Sequence, residues 1–206
     1  MSQQTRTLAV VSAGLSDPSS TRLLADRLTA ATVDALGGRA ITPTVEVVEL
    51  RQHARDLADN LLTGFPNAPL RAAVETVTGA DGLIVVTPIF SASYSGLFKT
   101  FFDVLDKDAL AGRPVLIGAT AGTARHSLAL EHAVRPLFSY LRAVVVPTAV
   151  FAAAEDWGGG DGGALHERID RAAGELADLL AGRPPAAPRD PFADPTTSFE
   201  ELLRGR

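Results

Sequence analysis

Five short apolar runs separated by stretches of helical periodicity constrain this chain more than any other feature. The clearest run is Gly82 to Thr87 (GLIVVT), in which four apolar residues, three of them β-branched, stand between turn signals. Leu8 to Ser12, Val45 to Leu50, Pro114 to Ala119 and Val144 to Phe151 follow the same pattern or alternate around it. Apolar residues recur at helical spacing from Leu23, Leu24, Leu28 and Ala31 up to Gly37 and Gly38, then over Pro69 to Thr78, Gly96 to Leu105, His126 to Leu141 with an interruption at Pro136, and Leu165 to Leu180 before Gly182. A continuous apolar strand is one buried on both faces, and alternation with helices demands right-handed crossovers. The expected fold is α/β: a five-stranded parallel sheet with helices on both faces. The order of its strands is not readable from the sequence.

At 206 residues the chain suits one domain, expected over 1–182, followed by a proline-rich tail over 183–206 with five prolines in the 13 residues RPPAAPRDPFADP. Phe199 to Leu203 is expected to dock on a neighbour. The connection Arg51 to Ala68 is long enough to be functional, and Asp156 to Gly163 (DWGGGDGG) has the composition of a flexible loop. A net charge of −5 disfavours both a nucleic-acid binder and a polybasic membrane anchor. The longest uncharged apolar stretch, Ala143 to Ala154, has 12 residues and contains Pro147, too short for a membrane span. No signal peptide is read at the start, so a cytoplasmic location is expected. The chain has no cysteine, which removes disulfides, thiolate metal sites and catalytic thiols, so any redox chemistry must belong to a bound cofactor. No His pair has metal-ligand spacing, and no metal is expected.

Three strands run into loops of small polar residues, and in open α/β sheets ligands sit at such carboxyl ends. In the first loop Ser12, Ser16, Ser19, Ser20 and Thr21 lead into a helix whose free N–H groups and dipole favour an anion, the alternative being simple capping by one serine. It is neither a Walker motif nor a GxGxxG fingerprint. In the second, Pro88, Ile89, Phe90 and Ser91 form a stiff, mostly apolar turn suited to a flat ring, or else a plain strand-to-helix turn. Packing is the simpler role for Tyr94 and Phe98. In the third, Thr120, Ala121, Gly122 and Thr123 let backbone approach a ligand closely. His126 and His132 suit a helix end or an interface better than a catalytic base.

Gly82 to Asp103 (GLIVVTPIFSASYSGLFKTFFD) and Gly118 to Ala143 (GATAGTARHSLALEHAVRPLFSYLRA) closely resemble the NAD(P)H-dependent FMN reductases, most of all the reductase components of two-component monooxygenase systems such as those that desulfonate alkanesulfonates. The resemblance covers about residues 5–180. It implies a flavodoxin-like fold, FMN phosphate on Ser12, Ser16, Ser19, Ser20 and Thr21, the ring along Pro88 to Ser91, and its pyrimidine end at Thr120 to Thr123. It implies NADPH or NADH as hydride donor, direct transfer to flavin N5 without a catalytic side chain, a flavin-dependent monooxygenase partner, and a homodimer or homotetramer. Relatives often begin this loop Gly-Ser-Pro-Arg, whereas here Ala13 to Pro18 precede Arg22, so Asp17 must point outward from a phosphate. The resemblance also places His132 in a widened, π-type helical turn at an oligomer interface. An NAD(P)H:quinone or azo reductase that retains FMN shares every one of these motifs. An electron-transfer flavodoxin fits less well, because flavodoxins bracket the flavin with aromatics and this chain has one Trp and two Tyr.

Overall fold

Alternation of side chains along the central strands divides the core into two layers. In the computed structural model, which describes residues 4–157 and 162–182, Leu8 and Val10 of β1 (Gln4–Ser12) face one layer while Ala9 and Val11 face the other. Ile84 and Val86 of β3 (Gly82–Phe90) join the first layer, Leu83 and Val85 the second. Both faces are apolar because both carry helices. α1 (Ser20–Gly37) and α6 (Gly162–Ala181) cover one side. α3 (Ala68–Gly79), α4 (Gly96–Asp103) and α5 (Arg135–Tyr140) cover the other.

The parallel sheet runs β2 (Ile41–Glu49), β1, β3, β5 (Pro114–Ala121), with β6 (Val144–Val145) and β7 (Val150–Ala153) both on the far edge of β5. β6 pairs with Pro114 and Val115, β7 with Gly118 to Ala121. The expected fifth strand, Val144 to Phe151, is therefore one position in the sheet filled by two pieces. The break is anchored: Thr148 donates through N–H and hydroxyl to Glu175, each at 2.7 Å, and Arg135 donates to the carbonyls of Val146 and Pro147 at 3.0 Å. The chain leaves β1 for β2 on one side and leaves β3 for β5 on the other, so the switch point, where a crevice opens, lies between β1 and β3.

Several local expectations need correction. The long connection after β2 holds a 3₁₀ turn (Leu50–His53) and α2 (Ala54–Thr63). No capping side chain at His53 announces α2, although Ala54, Leu57, Ala58, Leu61 and Leu62 fall at helical spacing. β2 begins at Ile41, four residues before the apolar alternation does. The helix expected over His126 to Leu141 is a 3₁₀ turn (Ala124–His126), a π-helical turn (Leu130–Val134) and then α5. Pro136 sits in the first turn of α5, where a missing N–H costs nothing. Asp156 and Trp157, placed in a flexible loop by composition, belong to a 3₁₀ turn (Ala154–Trp157). Residues 158–161 and the tail 183–206, with the expected docking of Phe199 to Leu203, lie outside the described residues.

Candidate flavin site at the carboxyl end of the sheet

The first loop stays zipped to the sheet for one residue past β1, because Ala13 N–H donates to Val86 O at 2.9 Å. Ser19 then caps α1, its hydroxyl accepting from Arg22 N at 3.2 Å. Gly14 makes this cap possible, since a Cβ there would stand 2.1 Å from Ser19 Oγ. α1 comes close to the sheet because Gly118 lacks a side chain; a Cβ would meet Leu28 at 3.2 Å and Val86 at 3.3 Å. The helix thus delivers its N-terminus to the crevice beside β1 and β3.

In the second loop, Pro88 to Phe90 continue β3 instead of turning. The reversal comes at Ser91 and Ala92, both at positive φ (49° and 69°), and β4 (Ser93–Tyr94) returns antiparallel with Phe90 opposite Ser93. A two-residue hairpin with both φ positive normally takes Asn-Gly; without glycine it stores backbone strain. Thr87, fully buried, offsets this by donating to Pro88 O at 3.0 Å and accepting from Ser95 N at 3.1 Å. Ser95 in turn caps α4. Phe98, Phe102 and Phe138 pack beneath with ring centroids 4.8 to 6.2 Å apart, and Tyr94 leans on Phe98 at 5.9 Å, which gives both residues the packing role.

The three loops converge on one cleft of about 400 Å³. Ser16, Ser19, Ser20 and Thr21 line one end; Pro88, Ile89 and Phe90 one wall; Thr120, Ala121 and Gly122 the floor. Thr21 and Thr120 join the first and third loops through a buried hydroxyl–hydroxyl hydrogen bond of 2.8 Å. Ser91 turns at the hairpin tip and Thr123 precedes the 3₁₀ turn; neither lines the cleft. Ser12 is buried behind the first loop and lines a second recess of about 70 Å³ together with Gly14, Arg22, Glu49 and Arg51. Ser16 and Ser19 belong to both spaces, so this loop is the wall between them.

Asp17 points outward, 79% exposed, and pairs with Arg51 at 3.4 Å. Arg22 and Arg51 share the carboxylate of Glu49, Arg51 at 2.9 Å. Hydrogen bonds donated to carboxylates, foremost by Arg22 to Asp26 and by Arg51 to Glu49, raise both guanidinium pKa values and hold them charged. Ala154 and Trp157 complete the cleft, with Arg27 stacked 4.9 Å from the Trp157 ring centroid. No motif marked them; they reach the site only because β7 lies beside β5, a fact of strand order. Among the described residues, none of the lining side chains is ionisable, so what they supply is binding and orientation.

Residues 6–158 match the family described as NADPH-dependent FMN reductase. The chain belongs to that family. The reductase is 36% identical over 178 residues to FMN reductase (NADPH) of Pseudomonas aeruginosa, covering 85% of this chain and 93% of that one. Its fold superposes on the crystal structure of an oxidoreductase from Corynebacterium diphtheriae with a TM-score of 0.85 and 52% identity, covering 89% of the reductase and all of that chain. NADH:FMN oxidoreductase (EmoB) in its apo form gives a TM-score of 0.69 at 30% identity, over 82% and 88% of the two chains. The reductase is accordingly an NAD(P)H-dependent oxidoreductase acting on FMN, with a flavodoxin-like parallel sheet. No described helix is long and apolar enough to cross a membrane.

Proposed function

We propose that the protein reduces FMN in the cytoplasm and supplies it to a flavin-dependent monooxygenase, so that the flavin is a substrate that leaves. The observation that carries this reading is the polarity of the cleft: hydroxyls and a helix N-terminus at one end, an apolar strand wall and a small-residue floor at the other, and, among the described residues, no ionisable side chain between them. These residues fit FMN, with its dianionic phosphate and flat uncharged ring. Ser16, Ser19, Ser20 and Thr21 bind the phosphate; Ser12 lies behind them and supports their backbone. Pro88, Ile89 and Phe90 hold one side of the ring, while Ser91 shapes the hairpin that presents them. Thr120, Ala121 and Gly122 offer backbone N–H groups to the pyrimidine end, where negative charge grows on reduction, and Thr123 fixes the exit of that loop.

When bound, FMN supplies the hydride acceptor at N5 for nicotinamide C4 of NADPH or NADH. The chain's part is to stack and orient the two rings; half-exposed Phe90 is placed for this at the rim. A homodimer or homotetramer is supported by the π-helical turn that leaves His132 exposed, with Leu128 and Tyr140 exposed on the same segment. His132→Ala is expected to alter oligomeric state, flavin affinity or rate; no change in any of them refutes its interface role. Steady-state kinetics with FMN varied against each nicotinamide test the whole reading. Sequential kinetics on free FMN are expected. Ping-pong kinetics with retained FMN point to the quinone or azo reductase reading, and no flavin-dependent loss of nicotinamide absorbance refutes both.

A further inference from the structure

The recess behind the first loop holds two guanidinium groups, and both are already paired with carboxylates. Arg22 is tied to Asp26 at 2.8 Å and to Glu49; Arg51 is tied to Glu49 at 2.9 Å, to Asp17 at 3.4 Å and to Ser16 O at 3.3 Å. Two cations thus face three carboxylates, and Glu49 touches both cations. Its side chain is only 18% exposed, at the end of β2 and separated from the cleft by Ser16 and Ser19. A carboxylate shielded there repels a phosphate dianion more than a fully hydrated one would.

We propose that Glu49 sets how tightly FMN is held, by keeping both arginines paired on the far side of the loop. The phosphate is then gripped by hydroxyls and N–H groups alone, an uncharged grip that suits a flavin released every turnover. This rests on the reading that the phosphate lies against Ser16 to Thr21. Glu49 is a positioning residue: it acts through Arg22 and Arg51 and does not meet the flavin. Glu49→Gln keeps the shape and one acceptor but removes the negative charge that both guanidinium groups share, leaving Arg22 with Asp26 and Arg51 with Asp17.

The test is equilibrium binding of FMN and of riboflavin, followed by flavin fluorescence, for the wild type, Glu49→Gln and Asp17→Asn. Glu49→Gln is expected to bind FMN about tenfold tighter, a gain that shrinks in salt. Asp17→Asn, at a position 79% exposed, is expected to tighten FMN about threefold. Riboflavin, without a phosphate, should bind all three proteins alike. Unchanged or weaker FMN binding by both variants, or equal shifts for FMN and riboflavin, overturns the proposal; if Glu49→Gln does not fold, Asp17→Asn alone decides. A wild type that binds riboflavin as tightly as FMN removes the phosphate from the first loop, and this proposal with it. Phosphate-dependent binding that is indifferent to Glu49 and Asp17 overturns this proposal alone.

Discussion

Replacing Thr120 by valine removes the hydroxyl bridge between the two sides of the cleft while keeping side-chain shape and strand preference. Thr21 and Thr120 are 3% and 4% exposed, and each hydroxyl has the other as its partner at 2.8 Å. Thr120→Val therefore leaves the Thr21 hydroxyl buried without that partner, which costs about 1–3 kcal/mol. Because the cleft beside it admits water, the expected loss is in the lower half, about 1–2 kcal/mol. Thr21→Val should cost about the same by the same reasoning. The double variant strands no hydroxyl, so its loss should fall short of the sum by about 1 kcal/mol. The assay is urea unfolding of flavin-free protein followed by far-ultraviolet circular dichroism, since bound FMN would add its own stabilisation. For a chain of this size the single variants should also melt about 2–8 °C lower. Strictly additive losses, or a Thr120→Val protein as stable as wild type, refute the idea that this bond holds the first and third loops at a set spacing.

Trp157 is the chain's one tryptophan and lines the cleft, so its emission should fall as FMN is titrated, with the same midpoint as flavin fluorescence; emission that ignores FMN contradicts its placement. Gly14→Ala should push Ser19 Oγ off Arg22 N, costing about 1 kcal/mol of helix stability and weakening FMN more than riboflavin, as thermal melts and binding titrations would show. Arg135, hydrogen-bonded to Glu131 at 2.6 and 2.9 Å, holds that carboxyl below its ordinary range. The pair's contribution is therefore complete above the unfolded carboxylate pKa of about 4.3 and disappears as pH falls through the lower folded value. The melting-temperature gap between wild type and Glu131→Gln should close accordingly on acidification.

The central strands could be read from sequence because burial on both faces writes an uninterrupted apolar run, as in Leu83 to Val86. The three loops could be read because hydroxyls before an amphipathic helix and small residues after a strand each have a local physical cause. What escaped depends on relations between distant segments. α2 does repeat apolar residues at helical spacing, at Ala54, Leu57, Ala58, Leu61 and Leu62, but no capping side chain marks its start and it lies inside a connection without a strand pattern to frame it. Trp157 and Ala154 enter the cleft through the neighbour relation of β7 and β5, and the role of Glu49 depends on β2 lying beside β1. The hairpin at Ser91 and Ala92 is concealed because neither residue is one that favours positive φ.

The broken strand on the far edge of β5 bears on how copies of this chain can meet. An intact outer strand is a template onto which another sheet can grow, and proteins blunt such edges. Here β6 and β7 are two and four residues long, with the gap between them occupied by the contacts of Arg135 and Glu175. At the opposite border β2 carries Pro43, which has no N–H to donate to an added strand, along with exposed Thr42, Thr44 and Glu46. Neither border invites a foreign strand. Assembly is thereby left to helix faces and loops, where the most exposed apolar side chains, Leu62, Phe65, Leu128 and Tyr140, lie, and the sheet itself is poorly suited to extension.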